Sequence, residues 1–171
     1  RRYLAEQAPI AYVRSQYAAT AMVDHSAMSI DDVWRGLAEI GLTAMLVPEA
    51  HGGAGMGLVD LALPLGEMGR SLYPGPFAAS AVAATSLLAD LAHHDLAAEW
   101  LPHLAVGDSV ATVAFTDART APVWRNASGE LHGTKVHVPD GVAADLILVV
   151  ADTGRTCPPV VPSDPGVAAD P

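Results

Sequence analysis

The chain has 171 residues, 51% of them hydrophobic and 16% charged, a composition typical of a globular protein with one domain or two small ones. Its formal net charge of −10 repels a phosphate backbone, which argues against nucleic-acid binding. The single cysteine, Cys157, excludes an internal disulfide and favours a cytoplasmic protein. The lack of an apolar run of roughly 18 residues argues against a membrane span.

The first two thirds of the chain are predicted to be helical, because alanine is abundant there and suits closely packed helices. The clearest helix begins at Ser29, whose hydroxyl can cap the N–H of Asp32, and ends at Gly41, which can adopt the left-handed conformation that stops a helix. Three apolar residues are expected to line its buried face: Val33, Leu37 and Ile40. Further helices are predicted over about residues 2–17, 57–70, 77–92 and 95–105.

Pro64 interrupts the helix predicted over residues 57–70. Its ring removes one backbone hydrogen bond and clashes with the preceding turn. A kink or an early break is therefore expected in this helix.

After Gly107 the sequence changes from helical to β-prone segments separated by turn residues. Strands are predicted within Val110–Phe115, Glu130–Val138 and Asp145–Ala151, and the proline-rich end can add at most an edge strand at Val160-Val161. So few strands leave an open edge, which suggests a truncated sheet. The expected fold is α+β: an all-α helical domain over residues 1–107, then an incomplete antiparallel β-domain over residues 108–171.

An ordered set of segments along the helical part resembles the acyl-CoA dehydrogenase family. Each segment alone is a modest signal, whereas their order and spacing together are specific. The segments are Trp34–Leu42, Leu46–Gly55, Gly66–Arg70 and Trp100–Gly107. The resemblance implies FAD as cofactor, an acyl-CoA substrate, an electron-transfer flavoprotein or similar acceptor, and a homo- or hetero-oligomer.

The β-prone part resembles the same family with departures. The segment Gly133–Gly141 is similar to the family's Gly-x-Lys-x-Trp-Ile-Thr, but His137 stands in place of the tryptophan and Pro139 in place of the threonine. The segment Ala114–Arg119 takes the place of the family's Thr-Glu-Pro-x-x-Gly-Ser-Asp loop and lacks its Gly-Ser-Asp part. The resemblance assigns flavin contacts to Phe115, Thr116, His137, Val138 and Pro139.

The resemblance also implies a chemical gap. A dehydrogenase of this family removes the α-proton of an acyl thioester with a carboxylate base and passes hydride from the β-carbon to the flavin, giving a 2-enoyl thioester. In the family that glutamate lies in a later helical bundle, beyond the residues matched here. No catalytic residue is therefore assigned to this chain.

Two other features have plain structural interpretations. The glycine-rich segment Gly52–Gly55 could cradle a phosphate, but no strand leads into it, so a turn is favoured. Asp60 and Glu67 are seven residues apart and could form an acid/base pair, but ordinary helix-supporting charges are the simpler interpretation.

Three functions remain open at the level of sequence. The first is a flavin-dependent acyl-CoA dehydrogenase whose remaining domain lies outside the chain. The second is a non-catalytic subunit that completes a partner's cleft, as in actinobacterial heteromeric relatives acting on bulky substrates such as sterol side chains. The third is a flavin oxidase or monooxygenase on the same scaffold.

Overall fold

The computed structural model describes residues 1–21, 32–91, 95–118, 122–126 and 128–151. The helices are α1 (Arg2–Gln7), α2 (Ile10–Ala21), α3 (Asp32–Glu39), α4 (Ala62–Arg70), α5 (Thr85–Asp90) and α6 (Asp95–Val106), with a 3-10 turn at Glu49–His51 and a π-helical segment at Ala78–Ala84. The strands are β1 (Ala111–Ala114), β2 (Trp124–Arg125), β3 (Leu131–His132) and β4 (Leu146–Val149). Within these residues, none of the helices has the length and apolar character needed to cross a membrane.

The single helix predicted over residues 2–17 is wrong, because two helices occupy this region. Ala8 leaves the helical conformation, with φ −120° and ψ 55°, and separates α1 from α2. It precedes Pro9, whose ring disfavours the α region for the residue before it. Helix α1 contacts α3 through the Tyr3 hydroxyl, which donates to the Val33 carbonyl at 3.0 Å.

Helix α3 ends as predicted, at a left-handed glycine. Gly41 has φ +80°, and its N–H donates to the Ala38 carbonyl at 2.8 Å, while the Leu42 N–H donates to the Leu37 carbonyl at 3.0 Å. This pair of bonds is a Schellman motif. The prediction that Ile40 lies on the buried face is wrong, since Ile40 is 55% exposed. The proposed cap at Ser29 lies outside the described residues.

Helix α4 is shorter than predicted and begins at Ala62. Pro64 is therefore the third residue of the helix, where the N–H has no partner within the helix to lose, and it does not interrupt the helix. Instead of a kink, the helix begins later than predicted, after turns that start at Leu58.

The region predicted as one helix over residues 77–92 is a π-helical segment that runs directly into α5. Its small buried side chains let it lie close to β1, where the Ser80 hydroxyl accepts a hydrogen bond from the Ala111 N–H at 3.0 Å. Ser80 thereby satisfies a backbone donor of the strand. Helix α6 agrees with its predicted range and contains Pro102.

The α+β class is confirmed, but the two longest strands do not pair as expected. Strands β1 and β4 are parallel, with Ala111 opposite Leu146 and Ala114 opposite Val149, whereas only the short pair β2–β3 is antiparallel. Parallel pairing requires a long connection, and the segment between β1 and β4, which contains the β2–β3 hairpin, provides it. The strand predicted over Glu130–Val138 is reduced to β3, and Val160-Val161 lies outside the described residues.

The helices and the parallel strands share a buried cluster. Its fully or nearly fully buried side chains come from α5, α6, β1 and β4 and include Leu88, Leu101, Leu104, Val113, Leu146 and Leu148. A second cluster surrounds Trp34 and Leu37 of α3. Because buried side chains on both sides of residue 107 belong to one cluster, the helices directly support β1; the domain boundary itself stays a prediction.

Candidate functional site

A short antiparallel ladder follows the end of β1 and carries the predicted cofactor residues. Asp117 lies opposite Lys135, the Val136 N–H donates to the Thr116 carbonyl at 2.9 Å, and the Ala118 N–H donates to the Thr134 carbonyl at 2.9 Å. This pattern is that of a non-hydrogen-bonded antiparallel pair flanked by two backbone bonds. Thr116 thus lies opposite Val136, the residue before His137, although Asp117 and Lys135 are 18 positions apart in the chain.

The side chain of Lys135 is packed within this ladder and is only 9% exposed. Its ammonium donates to the Phe115 carbonyl at 3.1 Å and to Asp117 Oδ1 at 2.6 Å. The same carboxylate oxygen accepts the Val123 N–H at 2.9 Å. The Lys135 hydrogen bond, and after it the Val123 N–H, hold the pKa of Asp117 below its ordinary value.

Sequence reasoning assigned no role to Lys135 beyond its place in a family-like segment. The sequence contains no other lysine. A lone lysine in a β-prone segment is normally solvent-exposed, so its burial depends on a partner from a distant part of the chain. The Asp117 carboxylate, 18 residues earlier, is that partner, and no spacing rule links the two.

The loop after the ladder has a left-handed backbone at two non-glycine residues. His137 has φ +54° and Asp140 has φ +52°. The loop is tied to β1 by Thr112, a buried residue whose hydroxyl donates to the Pro139 carbonyl at 2.6 Å. Burial raises the pKa of the Asp140 carboxyl. Two strained residues in one short loop are a feature typical of functional sites.

The five predicted cofactor residues, together called the strip, lie on or next to the two segments that the ladder pairs, and four of them are exposed. Phe115 is 58% exposed, Thr116, His137 and Pro139 are exposed, and Val138 is half-buried. The strip offers a hydroxyl and an imidazole beside apolar surface, and these groups suit a flat ring system with one polar edge. The structure pairs the two segments that carry these residues; the contact of the residues with a flavin stays a prediction.

The glycine-rich segment Gly52–Gly55 is a turn, as favoured. All four backbone N–H groups from residue 52 to residue 55 donate to backbone carbonyls, those of Glu49, Pro48, Ala44 and Val47 in order, at 2.9 to 3.2 Å. With these donors engaged, the segment cannot cradle a phosphate.

The two carboxylates considered as an acid/base pair have separate structural partners. The Asp60 carboxylate accepts the Gly57 N–H at 2.9 Å before α4 begins, and Glu67 lies 3.5 Å from Arg70 on α4. Neither the pair nor any group of three or more His, Cys, Asp and Glu side chains within the described ranges forms a metal site. Cys157 lies outside those ranges.

Comparison with known proteins agrees with the helical part of this architecture. Residues 6–108 match the family model described as acyl-CoA dehydrogenase, N-terminal domain. The acyl-CoA dehydrogenase FadE27 of Mycobacterium tuberculosis is 33% identical over 143 residues, which are 80% of this chain and 38% of that protein. The chain thus spans well under half of that relative's length.

Two solved structures extend the similarity into the β-part. The ChsE4-ChsE5 complex from Mycobacterium tuberculosis aligns with a TM-score of 0.79 and 27% identity over 98% of this chain and 46% of the matched chain. The Tcur3481-Tcur3483 steroid acyl-CoA dehydrogenase G363A variant aligns with a TM-score of 0.71 and 30% identity over 89% and 42%. From the family model, the relative and the shared fold together, we conclude that this chain belongs to the acyl-CoA dehydrogenase family.

Proposed function

We propose that this chain forms one wall of a flavin and acyl-CoA cleft, in a protein that oxidises an acyl-CoA thioester to the 2-enoyl-CoA. The observation that carries the proposal is the pairing, after the end of β1, of the segment that contains Thr116 with the segment that leads into His137, in a chain of this family. The matched residues of the family face the flavin, and here they are exposed where a planar ring could approach them.

The donor chemistry of the strip fits the ring of FAD. The Thr116 hydroxyl can donate to the polar edge of the isoalloxazine, and the His137 imidazole can stack on its face, with Phe115 and Val138 providing apolar surface. When bound, FAD supplies the hydride acceptor. Thr116 then orients the ring and His137 shields it from water, and both tasks need fixed side-chain positions.

The base that removes the α-proton is proposed to lie outside this chain. Glu67, one of the two carboxylates considered as an acid/base pair, is on α4 and engaged with Arg70. Asp140 is the carboxyl beside the strip, and its raised pKa follows from burial alone. A carboxylate opposite this wall, within about 3 Å of the α-carbon proton, completes the reaction.

The purified protein, with any chain that co-purifies, tests this function. We expect absorbance near ~450 nm from bound flavin, bleached anaerobically by octanoyl-CoA or by a steroid side-chain CoA thioester. Pivaloyl-CoA, which has no α-proton, is the matched control and is expected to leave the absorbance unchanged. Bleaching by pivaloyl-CoA to the same extent, or flavin that no acyl-CoA reduces, would contradict the dehydrogenase.

A second function is favoured by the departures at His137 and Pro139. Imidazole covers less of a ring face than indole, and Pro139 lacks both the hydroxyl and the backbone N–H of the threonine in the family segment. Such a wall suits a subunit that completes a partner's active site without binding flavin itself. Colourless protein that co-purifies with a flavin-containing subunit would establish this alternative.

The remaining expectations follow from the same proposal. An acyl-CoA is the substrate, an electron-transfer flavoprotein or similar protein is the acceptor, and the protein acts in the cytoplasm as a homo- or hetero-oligomer. Hetero-oligomers are supported by the two structural relatives, each of which is named as a pair of proteins. An oxidase or monooxygenase stays the third hypothesis, and rapid oxygen consumption by the reduced protein would identify it.

A further inference from the structure

We infer that Lys135 is a positioning residue for Thr116. Its ammonium binds one group on each side of Thr116, and we call these two contacts the clamp. This inference rests on the proposed function for its purpose, since the clamp would set the geometry of the flavin-facing wall. Its geometric part depends only on the contacts of the ladder.

The clamp holds both neighbours of Thr116. The Lys135 ammonium binds the carbonyl of Phe115, which precedes Thr116, and the carboxylate of Asp117, which follows it. The Thr116 carbonyl is held separately by the Val136 N–H. Thr116 is therefore fixed on both sides by groups that belong to the opposite segment of the ladder.

The first contact also sets the direction of the Thr116 N–H. In a trans peptide the C=O and the following N–H point in opposite directions, so a Phe115 carbonyl turned toward Lys135 turns the Thr116 N–H away from it. Among the described residues, that N–H donates to no other group. The clamp thus turns a backbone donor of Thr116 away from the Lys135 ammonium.

The clamp depends on both Lys135 and Asp117, because each compensates the charge of the other. A lysine whose side chain is 9% exposed needs a paired charge, because burying an ammonium alone carries a large desolvation penalty. Asp117 supplies that charge and also accepts the Val123 N–H, which connects the ladder to the segment leading into β2. Loss of either charge leaves the other uncompensated and releases both sides of Thr116.

Amine labelling tests the clamp independently of flavin. With acetic anhydride in limiting amount, followed by peptide mapping, we expect Lys135 in the native protein to react at least about tenfold more slowly than after denaturation. Asp117→Asn should restore most of the reactivity, because the neutral amide binds an ammonium more weakly than a carboxylate does. Equal rates in native and denatured protein, or no acceleration in Asp117→Asn, would overturn the clamp.

A double-mutant cycle on flavin affinity tests the positioning role. In the protein with all its chains, Thr116→Val should weaken FAD binding by about tenfold, the effect of losing one well-formed hydrogen bond. In the Lys135→Met background, where Thr116 is no longer held, the same change should weaken it by less than about twofold. Additive effects would mean that Lys135 is merely structural.

The visible spectrum of the flavin provides a second readout that loss of stability alone does not move. Lys135→Met should shift the band near ~450 nm, and Lys135→Arg, which keeps the charge, should shift it less. Arg125→Met is the matched control, because it also removes a cation that donates to a β-domain carbonyl, that of Gly129 at 3.0 Å, away from the ladder. An identical shift in Arg125→Met would contradict the role of Lys135.

Amine labelling and flavin binding together separate failure of the inference from failure of the proposed function. Slow labelling without flavin binding in the wild-type protein would contradict both the flavin site and the positioning role of Lys135. It would leave the contacts of the clamp in place. Fast labelling in a protein that binds and transfers electrons to flavin removes the clamp and leaves the proposed function intact.

Discussion

The junction between helices and strands is held together by different forces from the ladder that carries the candidate site. At the junction, Trp34 is 1% exposed and its indole N–H donates to the Gly107 carbonyl at 2.9 Å, while the Thr43 hydroxyl binds the Ala105 carbonyl at 2.7 Å. In the ladder, the exposed residues are held by backbone bonds and by Lys135. Burial therefore maintains the fold, and a small polar network maintains the shape of the site.

The largest expected effect comes from removing Trp34 at the junction. Trp34→Ala should lower the free energy of unfolding by about 3 to 5 kcal/mol, because it removes a fully buried aromatic side chain and leaves a cavity. Denaturant unfolding followed by circular dichroism measures this change.

Trp34→Phe separates the hydrogen bond from the packing. It keeps most of the ring but leaves the Gly107 carbonyl without its donor, so a smaller loss of about 1 to 3 kcal/mol is expected. The carbonyl matters because Gly107 has φ +73° and leads from α6 toward β1. Equal losses for the two variants would show that packing contributes little at this junction.

The sequence predicted those parts of the fold that local chemistry decides. The left-handed stop at Gly41 and the helix over residues 95–105 were predicted correctly because local chemistry decides them. The break before Pro9 was missed although the signal was present, since the residue before a proline avoids the helical region. The parallel pairing of β1 with β4 could not be predicted, because a distant segment decides it.

Within the candidate site, the resemblance identified residues and not the contacts that hold them. The family pattern assigns Thr116 and His137 to one site, and the structure pairs the segment that contains Thr116 with the segment that leads into His137. The partners that fix them, Lys135 with Asp117 and Thr112 with Pro139, join residues 18 and 27 positions apart through side chains. Periodicity and turn chemistry carry no information about such pairs.

An intermediate effect is expected at Thr112, which connects the two regions. Thr112→Val keeps the shape of the side chain but removes the hydroxyl that binds the Pro139 carbonyl, so the free energy of unfolding should fall by about 1 kcal/mol. The loop after the ladder should also become easier to cleave, which limited proteolysis measures. Thr112→Ser retains the hydroxyl and is the control; if it loosens the loop as much as Thr112→Val, the hydrogen bond is not what holds it.

The smallest effect, and the only one expected to stabilise, is at Asp140. Burial raises the pKa of its carboxyl above the ordinary value of about 3.9, so the protonated form is favoured in the folded state. The folded state is therefore relatively more stable below the ordinary pKa, and this advantage is lost as the pH rises through the raised pKa. At neutral pH the ionised carboxylate destabilises the fold.

Asp140→Asn removes that charge, and asparagine tolerates the φ of +52° at this position. We expect the melting temperature to rise slightly at about pH 7 and the difference from the wild-type protein to shrink as the pH approaches about 4. Asp60→Asn is the matched control at an exposed carboxylate before α4 and should give no stabilisation at about pH 7. A gain for Asp140→Asn that stays constant across this range would assign the effect to the backbone conformation instead, because the backbone does not titrate between the two pH values.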